Sequence, residues 1–210
     1  MHPAAIGARV HSGWAALVAV TGERDTLEVI DRRRIVITDP KMEGAVQPYH
    51  AVEGLDLPAA EKHLTKCMAE SSRLASSAIG EMSEELRTRE YRIAGCAILL
   101  ASGRPLPELA GILASHAMIH VAEGEFYREI VGRACEEQGI SVTGIRERDL
   151  EERVRAQFGG AATSVQKRIA GLGKSLGPPW TQDQKSAALA AAVVLATSVD
   201  ILTPRSHHVR

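Results

Sequence analysis

Apolar and polar positions along the first forty residues follow the pattern of paired β-strands. Residues 8–20 are apolar on both faces, which predicts a strand covered from two sides. A turn at 21–25 and a β-branched, alternating stretch over 26–38 predict a returning antiparallel strand, and thus a hairpin. Residues 39–57 are rich in Pro and Gly and predict a loop, with a short third strand over 45–52.

After residue 59 the apolar positions recur at spacings of three and four. This period predicts a first long helix of roughly seven turns over 59–86. Residues 91–101 are a continuous apolar run and predict a buried parallel strand. Residues 105–138 predict a helical region that is interrupted near Ser115 and ends at Gly139.

The last third of the chain adds a strand and two helices. Residues 140–145 predict the strand, and Asp149 is the expected N-cap of a short helix that ends at 157. Gly159-Gly160 predicts a flexible stretch. After a Gly- and Pro-rich loop over 171–179, Thr181 is the expected N-cap of an Ala-rich helix.

The order of these elements predicts the fold class. A hairpin followed by strand–helix units gives an α/β fold with a mixed sheet and helices on both faces. We expect one domain over 1–202 and a mobile C-terminal tail over 203–210.

Composition narrows the class of protein. Hydrophobic residues make up 45% of the 210 and aromatic residues only 3%, which favours an aliphatic core of packed helices. The net charge of −1 gives no global field for nucleic acid or anionic membranes, so such binding would have to be local. The longest apolar stretch, 187–197, is too short to span a bilayer, and we expect no secretory signal at the N-terminus. Three widely spaced cysteines indicate reduced core thiols and a cytoplasmic protein.

Four segments carry a family resemblance. They are YRIAGCAILLA (91–101), SHAMIHVAEGEFYREIVGRACEEQG (115–139), ISVTGI (140–145) and TQDQKSAALAAAVVLA (181–196). In this order they resemble the ribonuclease H-like superfamily, and the second half is distantly similar to RuvC-type Holliday-junction resolvases. The resemblance covers most of the chain and implies a ribonuclease H-like mixed sheet.

The same resemblance implies two-metal catalysis by carboxylates on the first strand, the fourth strand and the last helix. In this chain the first strand has Arg9 and His11 where an Asp is expected, and the fourth strand has no acid. In the last helix, Asp183 and Ser186 occupy the positions of two acids. One carboxylate cannot hold two cations about 4 Å apart. We therefore predict a catalytically inactive domain that acts as a binding or interaction module.

A first candidate site lies at the end of the first strand, which often borders the functional cleft of an α/β sheet. A histidine and a hydroxyl there can bind an anion or a metal, whereas a hydrogen-bonded structural role for His11 is the other interpretation. An unassisted Ser12 is poorly activated as a nucleophile. The predicted ligand-binding residues are His11, Ser12, Asp183 and Lys185.

A second candidate site is a stripe on the predicted helix around residue 120. His116, His120 and Glu123 have the spacing i, i+4 and i+7, and share one face with Tyr127. Two imidazoles and a carboxylate can hold zinc or another divalent metal, or they form a polar stripe at the helix–sheet interface. The alternative function is therefore a metal-dependent hydrolase or nuclease with a relocated site, formed by His11, His116, His120, Glu123 and Asp183.

Three further features leave alternatives open. The run Arg32-Arg33-Arg34 predicts either weak, salt-sensitive nucleic-acid binding or a strand edge protected by charge. GLGKS (171–175) has part of a phosphate-loop motif but not its full spacing, and Trp180 is expected to be a packing anchor.

A third hypothesis for the function is a structural subunit that forms homo-oligomers.

Overall fold

In the computed structural model, which describes residues 1–101 and 105–202, five strands form one sheet of order β3-β2-β1-β4-β5. The first three strands pair antiparallel, whereas β4 pairs parallel with β1 and β5 pairs parallel with β4. The predicted α/β fold with a mixed sheet is confirmed. The strands are β1 (His2–His11), β2 (Trp14–Thr21), β3 (Glu28–Val36), β4 (Tyr91–Leu100) and β5 (Val142–Arg146).

Eight helices connect and cover these strands in the described residues. Two of the three long ones have capped starts: Asp56 Oδ1 accepts a hydrogen bond from Ala59 N at 2.8 Å, and Thr181 Oγ1 accepts one from Asp183 N at 3.3 Å. The predicted N-cap Thr181 is therefore confirmed. The helices are α1 (Pro48–Ala51), α2 (Leu57–Thr88), α3 (Leu109–Leu113), α4 (His116–Glu137), α5 (Leu150–Phe158), α6 (Ala162–Gly171), α7 (Gly173–Leu176) and α8 (Gln182–Leu202).

The N-terminal third differs from the prediction. Residues 8–20, predicted as one strand, contain the end of β1, a tight turn and all of β2 except its last residue. Gly13 has a φ of +80° and makes this two-residue turn, which the apolar residues on either side concealed. The predicted third strand over 45–52 is wrong, because Pro48 begins the short helix α1 there.

Other differences lie between the predicted elements. The break near Ser115 is confirmed, since it separates α3 from α4. Gly159-Gly160, predicted to be flexible, form a 3-10 turn before α6, whose Val165 and Ile169 are buried in the core. The predicted tail, 203–210, lies outside the described residues.

Helices of different kinds cover the two faces of the sheet. On one face α8 packs closely, with small side chains such as Ala187 and Ala191 against β1, β2 and β4. A Cβ on Gly7 would lie 1.9 Å from the carbonyl oxygen of Ala187. On the opposite face α2 and α4 contribute larger side chains, including Met82 and Ile130. None of the described helices is long and apolar enough to cross a membrane.

Candidate functional site

The carboxyl end of β1 and the first turn of α8 bring four titratable side chains together. Asp183 Oδ1 lies 3.2 Å from Arg9 Nε and accepts a hydrogen bond from His11 Nε2 at 3.2 Å. Arg9 Nη2 donates to Glu147 Oε2 at 3.1 Å, directly after β5. These four residues, Arg9, His11, Glu147 and Asp183, are named the Arg9 cluster. Their side chains are partly exposed, between 22% and 42%.

Local sequence explains why the Arg9 cluster forms. Arg9 and His11 alternate along β1, so both side chains point to the face that α8 covers. Gly7, two residues earlier, lets the backbone of α8 approach β1 closely. Asp183 lies in the first turn of α8, where the helix dipole stabilises a carboxylate.

The cluster places a permanent cation where the resemblance implies metal ions. A guanidinium stays protonated at any ordinary pH, so Arg9 balances the charge of Asp183 without a metal. Ser186, at the position of a second acid, is buried and accepts a hydrogen bond from Gln182 Nε2 at 2.9 Å. Arg9 therefore offsets the charge of one of the two carboxylates in the cluster.

The other predicted ligand residues lie near this cluster in the chain. Ser12 is in the turn between β1 and β2, and Lys185 lies half-buried on α8, two residues after Asp183. The structure brings His11 and Asp183 into contact. Ligand binding by His11, Ser12, Asp183 and Lys185 stays a prediction.

An aromatic ring and a guanidinium extend this polar edge across the sheet. His11 stacks on Trp14, with ring centroids 4.2 Å apart and planes inclined by 10°. Arg34 Cζ lies 4.3 Å from the centroid of the Trp14 ring. We name these three residues, His11, Trp14 and Arg34, the Trp14 row. Trp14 is half-buried and Arg34 is exposed, so the row presents a ring and a positive charge to solvent.

The three consecutive arginines of β3 make different contacts. Arg32 donates to the backbone carbonyls of residues 176–179 at 2.6–3.3 Å and so holds the loop before α8. Arg33 points to the other face and pairs with Glu85 of α2 at 2.5 Å. Arg34 belongs to the Trp14 row. The run is therefore not one continuous phosphate-binding surface, because its side chains alternate between the two faces.

On the opposite face of the sheet, three imidazole rings meet. The Nε2 atoms of His116 and His120, one turn apart on α4, lie 3.2 Å apart. The ring of His50, from α1, lies 5.4 Å and 4.7 Å from theirs, measured between centroids. One nitrogen of each ring lies within 4.8 Å of the others. These residues, His50, His116 and His120, are named the histidine cluster.

Glu123, a predicted metal ligand, lies beside this cluster and holds His50. Its Oε1 accepts hydrogen bonds from His50 Nδ1 at 3.0 Å and from the backbone N–H groups of Tyr49 and His50 at 2.9 Å and 3.0 Å. Burial raises the pKa of Glu123, while the hydrogen bonds from His50 and Tyr49 act in the opposite direction. Metal binding by His116, His120 and Glu123 stays a prediction.

The structure divides the predicted site residues between two clusters. Asp183 is on α8, and the two α4 histidines lie on the opposite face of the sheet. Among the described residues, the group with metal-ligand spacing contains neither His11 nor Asp183. A relocated metal site that combines all five predicted residues therefore has no geometric basis.

Three contributors were missed by sequence reasoning. Glu147 was detectable, because it is the first acid after β5 and carboxyl ends of parallel strands share an edge. The contact between Trp14 and Arg34 depends on the strand register, which the misplaced hairpin turn concealed. His50 comes from a segment without periodic pattern, so nothing in the sequence placed it next to α4.

The motif GLGKS forms the end of α6 and the short helix α7, so it follows a helix and not a strand. Trp180 Nε1 donates to the carbonyl of Ile169 at 2.9 Å, and the ring packs over Gly173. The expected packing role of Trp180 is therefore confirmed.

Comparison with known proteins gives a distant match in structure alone. No protein-family model matches the chain, and no curated protein does. T. thermophilus RuvC in complex with a Holliday junction substrate is similar at 11% identity and a TM-score of 0.51, over 91% of this chain and 92% of that chain. A further structure of Thermus thermophilus RuvC gives 13% identity and a TM-score of 0.49, over 95% and 97% of the two chains. The chain thus has a ribonuclease H-like fold that distantly resembles RuvC.

Proposed function

We propose that this protein is a catalytically inactive ribonuclease H-like domain that acts as a binding module. One observation carries the proposal: the Arg9 guanidinium lies 3.2 Å from Asp183, the one acid that matches the family pattern. Two-metal nucleases hold two cations about 4 Å apart between carboxylates. In this chain an internal cation occupies the neighbourhood of the remaining carboxylate.

Electrostatics explains why this arrangement opposes metal binding. A divalent ion 4 Å from a guanidinium is repelled by roughly 8 kcal/mol at an effective dielectric constant of 20. Asp183 is already paired with Arg9 and His11, so binding an ion there would also break those contacts. The second acid of the pattern is replaced by Ser186, which supplies no compensating charge.

Nucleic acid is the ligand class that we propose for the module. The Trp14 row offers the exposed charge of Arg34 for a phosphate, held against the half-buried ring of Trp14. The RuvC neighbour at 11% identity is in complex with a Holliday junction substrate, which makes branched DNA the first probe. Because the net charge is −1, we expect weak, salt-sensitive affinity.

The test combines cleavage and binding on one set of DNA probes. Four-way junctions, duplexes and single strands are incubated with the protein and Mg²⁺ or Mn²⁺, and we expect no cleavage. In anisotropy titrations, Arg34→Ala should weaken binding about tenfold, whereas Arg153→Ala, which removes an exposed charge on α5, should not. Metal-dependent cleavage that is lost in Asp183→Ala would overturn the proposal.

The alternative function, a metal-dependent hydrolase, is favoured by the histidine cluster. Three imidazole ligands leave a position for a water that zinc can activate. Hydrolysis of an activated phosphodiester or ester, stimulated by Zn²⁺, would have to be lost in His120→Ala and kept in Asp183→Ala. The opposite pattern would assign the activity to the Arg9 cluster.

We also propose a cytoplasmic location from the cysteines. All three, Cys67, Cys96 and Cys135, are free and buried, as is common for thiols in a reducing compartment. Cell fractionation of the tagged protein tests this proposal.

A further inference from the structure

The geometry points to a zinc site formed by His50, His116 and His120. This site is independent of the proposed binding module, because none of its residues belongs to the Arg9 cluster or the Trp14 row, and the alternative hydrolase function rests on it. Two ligands come from consecutive turns of α4 and the third from α1. A bound ion would therefore join the segment around α1 to α4.

The nitrogen positions match the spacing that zinc requires. In a tetrahedral site with Zn–N bonds of about 2.0–2.1 Å, two ligand nitrogens lie roughly 3.4 Å apart. The Nε2 atoms of His116 and His120 are 3.2 Å apart. The third nitrogen, on His50, lies within 4.8 Å of both, so a displacement of about one to two ångströms completes the set.

A buried carboxylate orients the third ligand. Glu123 Oε1 accepts from His50 Nδ1 at 3.0 Å, which leaves the other ring nitrogen of His50 for the metal. Two backbone N–H groups fix that carboxylate, and its side chain is only 5% exposed. A carboxylate that accepts from the second nitrogen of a histidine ligand is the usual outer partner in zinc sites.

A second acid is placed in the same way beside another ligand. Glu53 Oε1 lies 3.9 Å from His116 Nδ1, whereas the other ring nitrogen of His116, Nε2, faces His120. Each acid thus lies beside an Nδ1 atom of the cluster. In the described residues, Glu123 Oε2 is buried without a hydrogen-bond partner, so this carboxylate has unused capacity to accept a proton or a water.

The segment that carries His50 is anchored before any metal binds. The Tyr127 hydroxyl donates to the carbonyl of Ala45, and Cys67 Sγ lies 3.6 Å from Met42 Sδ. These contacts tie residues 42–50 to α4 and α2. The ligand is thus held close to its final position, which reduces the ordering entropy that metal binding costs.

The ligand set determines the class of metal. Three imidazoles suit zinc and its neighbours in the transition series, whereas magnesium and calcium prefer oxygen ligands. His116 and His120 are exposed, so a fourth position is open to water. We therefore assign Zn²⁺ as the occupant, with a solvent water as the fourth ligand.

The experiment is a zinc titration of the full chain after metal removal, followed by elemental analysis and thermal unfolding. We expect one equivalent of zinc per chain and a rise in Tm of about 5 °C or more when free zinc is a hundredfold above Kd. His120→Ala and His50→Ala should each lower the affinity at least a hundredfold. Circular dichroism of the metal-free variants verifies that they fold.

His63→Ala is the matched control. His63 Nε2 lies 3.4 Å from Cys67 Sγ on α2 and forms the competing soft-ligand pair in this part of the molecule. Zinc binding should be unchanged in this variant. Loss of binding in His63→Ala and not in His120→Ala would move the site to Cys67 and overturn the assignment.

Glu123→Gln tests the outer carboxylate. Glutamine retains an acceptor oxygen for the two backbone N–H groups but loses the charge, so the affinity should fall about tenfold to a hundredfold. Replacing Zn²⁺ by Co²⁺ gives a visible spectrum typical of tetrahedral nitrogen ligands, and that band should shift in Glu123→Gln. No stoichiometric zinc and no change of Tm in the unmodified chain would mean that the 3.2 Å contact is only a hydrogen bond between imidazoles.

Discussion

The two faces of the sheet are packed by opposite means. On the α8 face, Gly7 and the small alanine side chains let the helix backbone lie almost in contact with β1. On the opposite face, α2 and α4 are kept further away by larger side chains such as Met82 and Ile130. We call the α8 side the close face, because small residues there let the helix approach the sheet. We call the opposite side the wide face, because large side chains fill the space between its helices and the sheet.

The polar clusters follow this difference. Close packing of α8 brings Asp183 within ion-pair distance of Arg9 and His11, so the charge of this carboxylate is offset inside the protein. The wide face accommodates the segment that carries His50. There the imidazoles of His50, His116 and His120 each have one nitrogen within 4.8 Å of the others. We therefore expect the Arg9 cluster to exclude cations, whereas the histidine cluster has the donors for one.

The largest expected change in stability comes from replacing a glycine by alanine on the close face, and the same replacement on the wide face is its control. Gly7→Ala places a Cβ 1.9 Å from the Ala187 carbonyl oxygen, so α8 must move and stability should fall by about 4 kcal/mol or more. Gly132→Ala on α4 meets Ile98 Cδ1 at 3.5 Å, an ordinary contact, and should change stability by less than about 1 kcal/mol. Urea unfolding of both variants measures the difference. Equal losses would contradict the packing account.

A smaller effect comes from changing side-chain volume. Ile130→Ala on the wide face should cost about 3 kcal/mol, because it leaves a cavity among fully buried side chains. Ala191→Leu on the close face should cost about 2 kcal/mol for the opposite reason, since there is no space for the added atoms. Crystal structures of the two variants should show a void in the first and a displaced α8 in the second.

Removing the internal cation should have a moderate effect. Arg9→Met keeps the aliphatic volume but leaves Asp183 and Glu147 without their guanidinium, at a cost of about 1–2 kcal/mol because the site is partly exposed. The loss should shrink at high salt. A variant as stable as the unmodified chain at low salt would mean that the ion pairs contribute nothing measurable.

The smallest effect should come from Glu147→Gln. This side chain is 42% exposed, and exposed ion pairs contribute about 0.2–1 kcal/mol. Glutamine can still accept a hydrogen bond from Arg9. A cost as large as that of Arg9→Met would show that Glu147, and not Asp183, is the main partner of the guanidinium.

The sequence predicted the elements that have regular patterns. The long helices α2, α4 and α8 were found from their apolar spacing and caps, and β4 from its apolar run. The prediction was wrong at Ser12-Gly13. The residues on both sides of this two-residue turn are apolar, so the turn was included in one continuous predicted strand. The prediction was also wrong at Pro48, where residues compatible with a strand follow a helix-starting proline.

Predictions of the site were limited by contacts between distant segments. His116 and His120 could be paired from their spacing, because a helix fixes the geometry of residues one turn apart. The approach of His50 depends on how an irregular segment folds against α4, which no local pattern encodes. The three consecutive arginines do not form one surface, because side chains alternate along a strand. Arg33 pairs with Glu85, whereas Arg32 donates to the loop before α8.

Anomalous diffraction from crystals grown with Mn²⁺ and Zn²⁺ tests most directly whether the Arg9 cluster is closed to cations and the histidine cluster open. We predict one zinc peak between His50, His116 and His120, and no metal coordinated by Asp183. A manganese ion bound to Asp183, with the Arg9 side chain turned away, would contradict the account and indicate a working metal site at the carboxyl edge of the sheet.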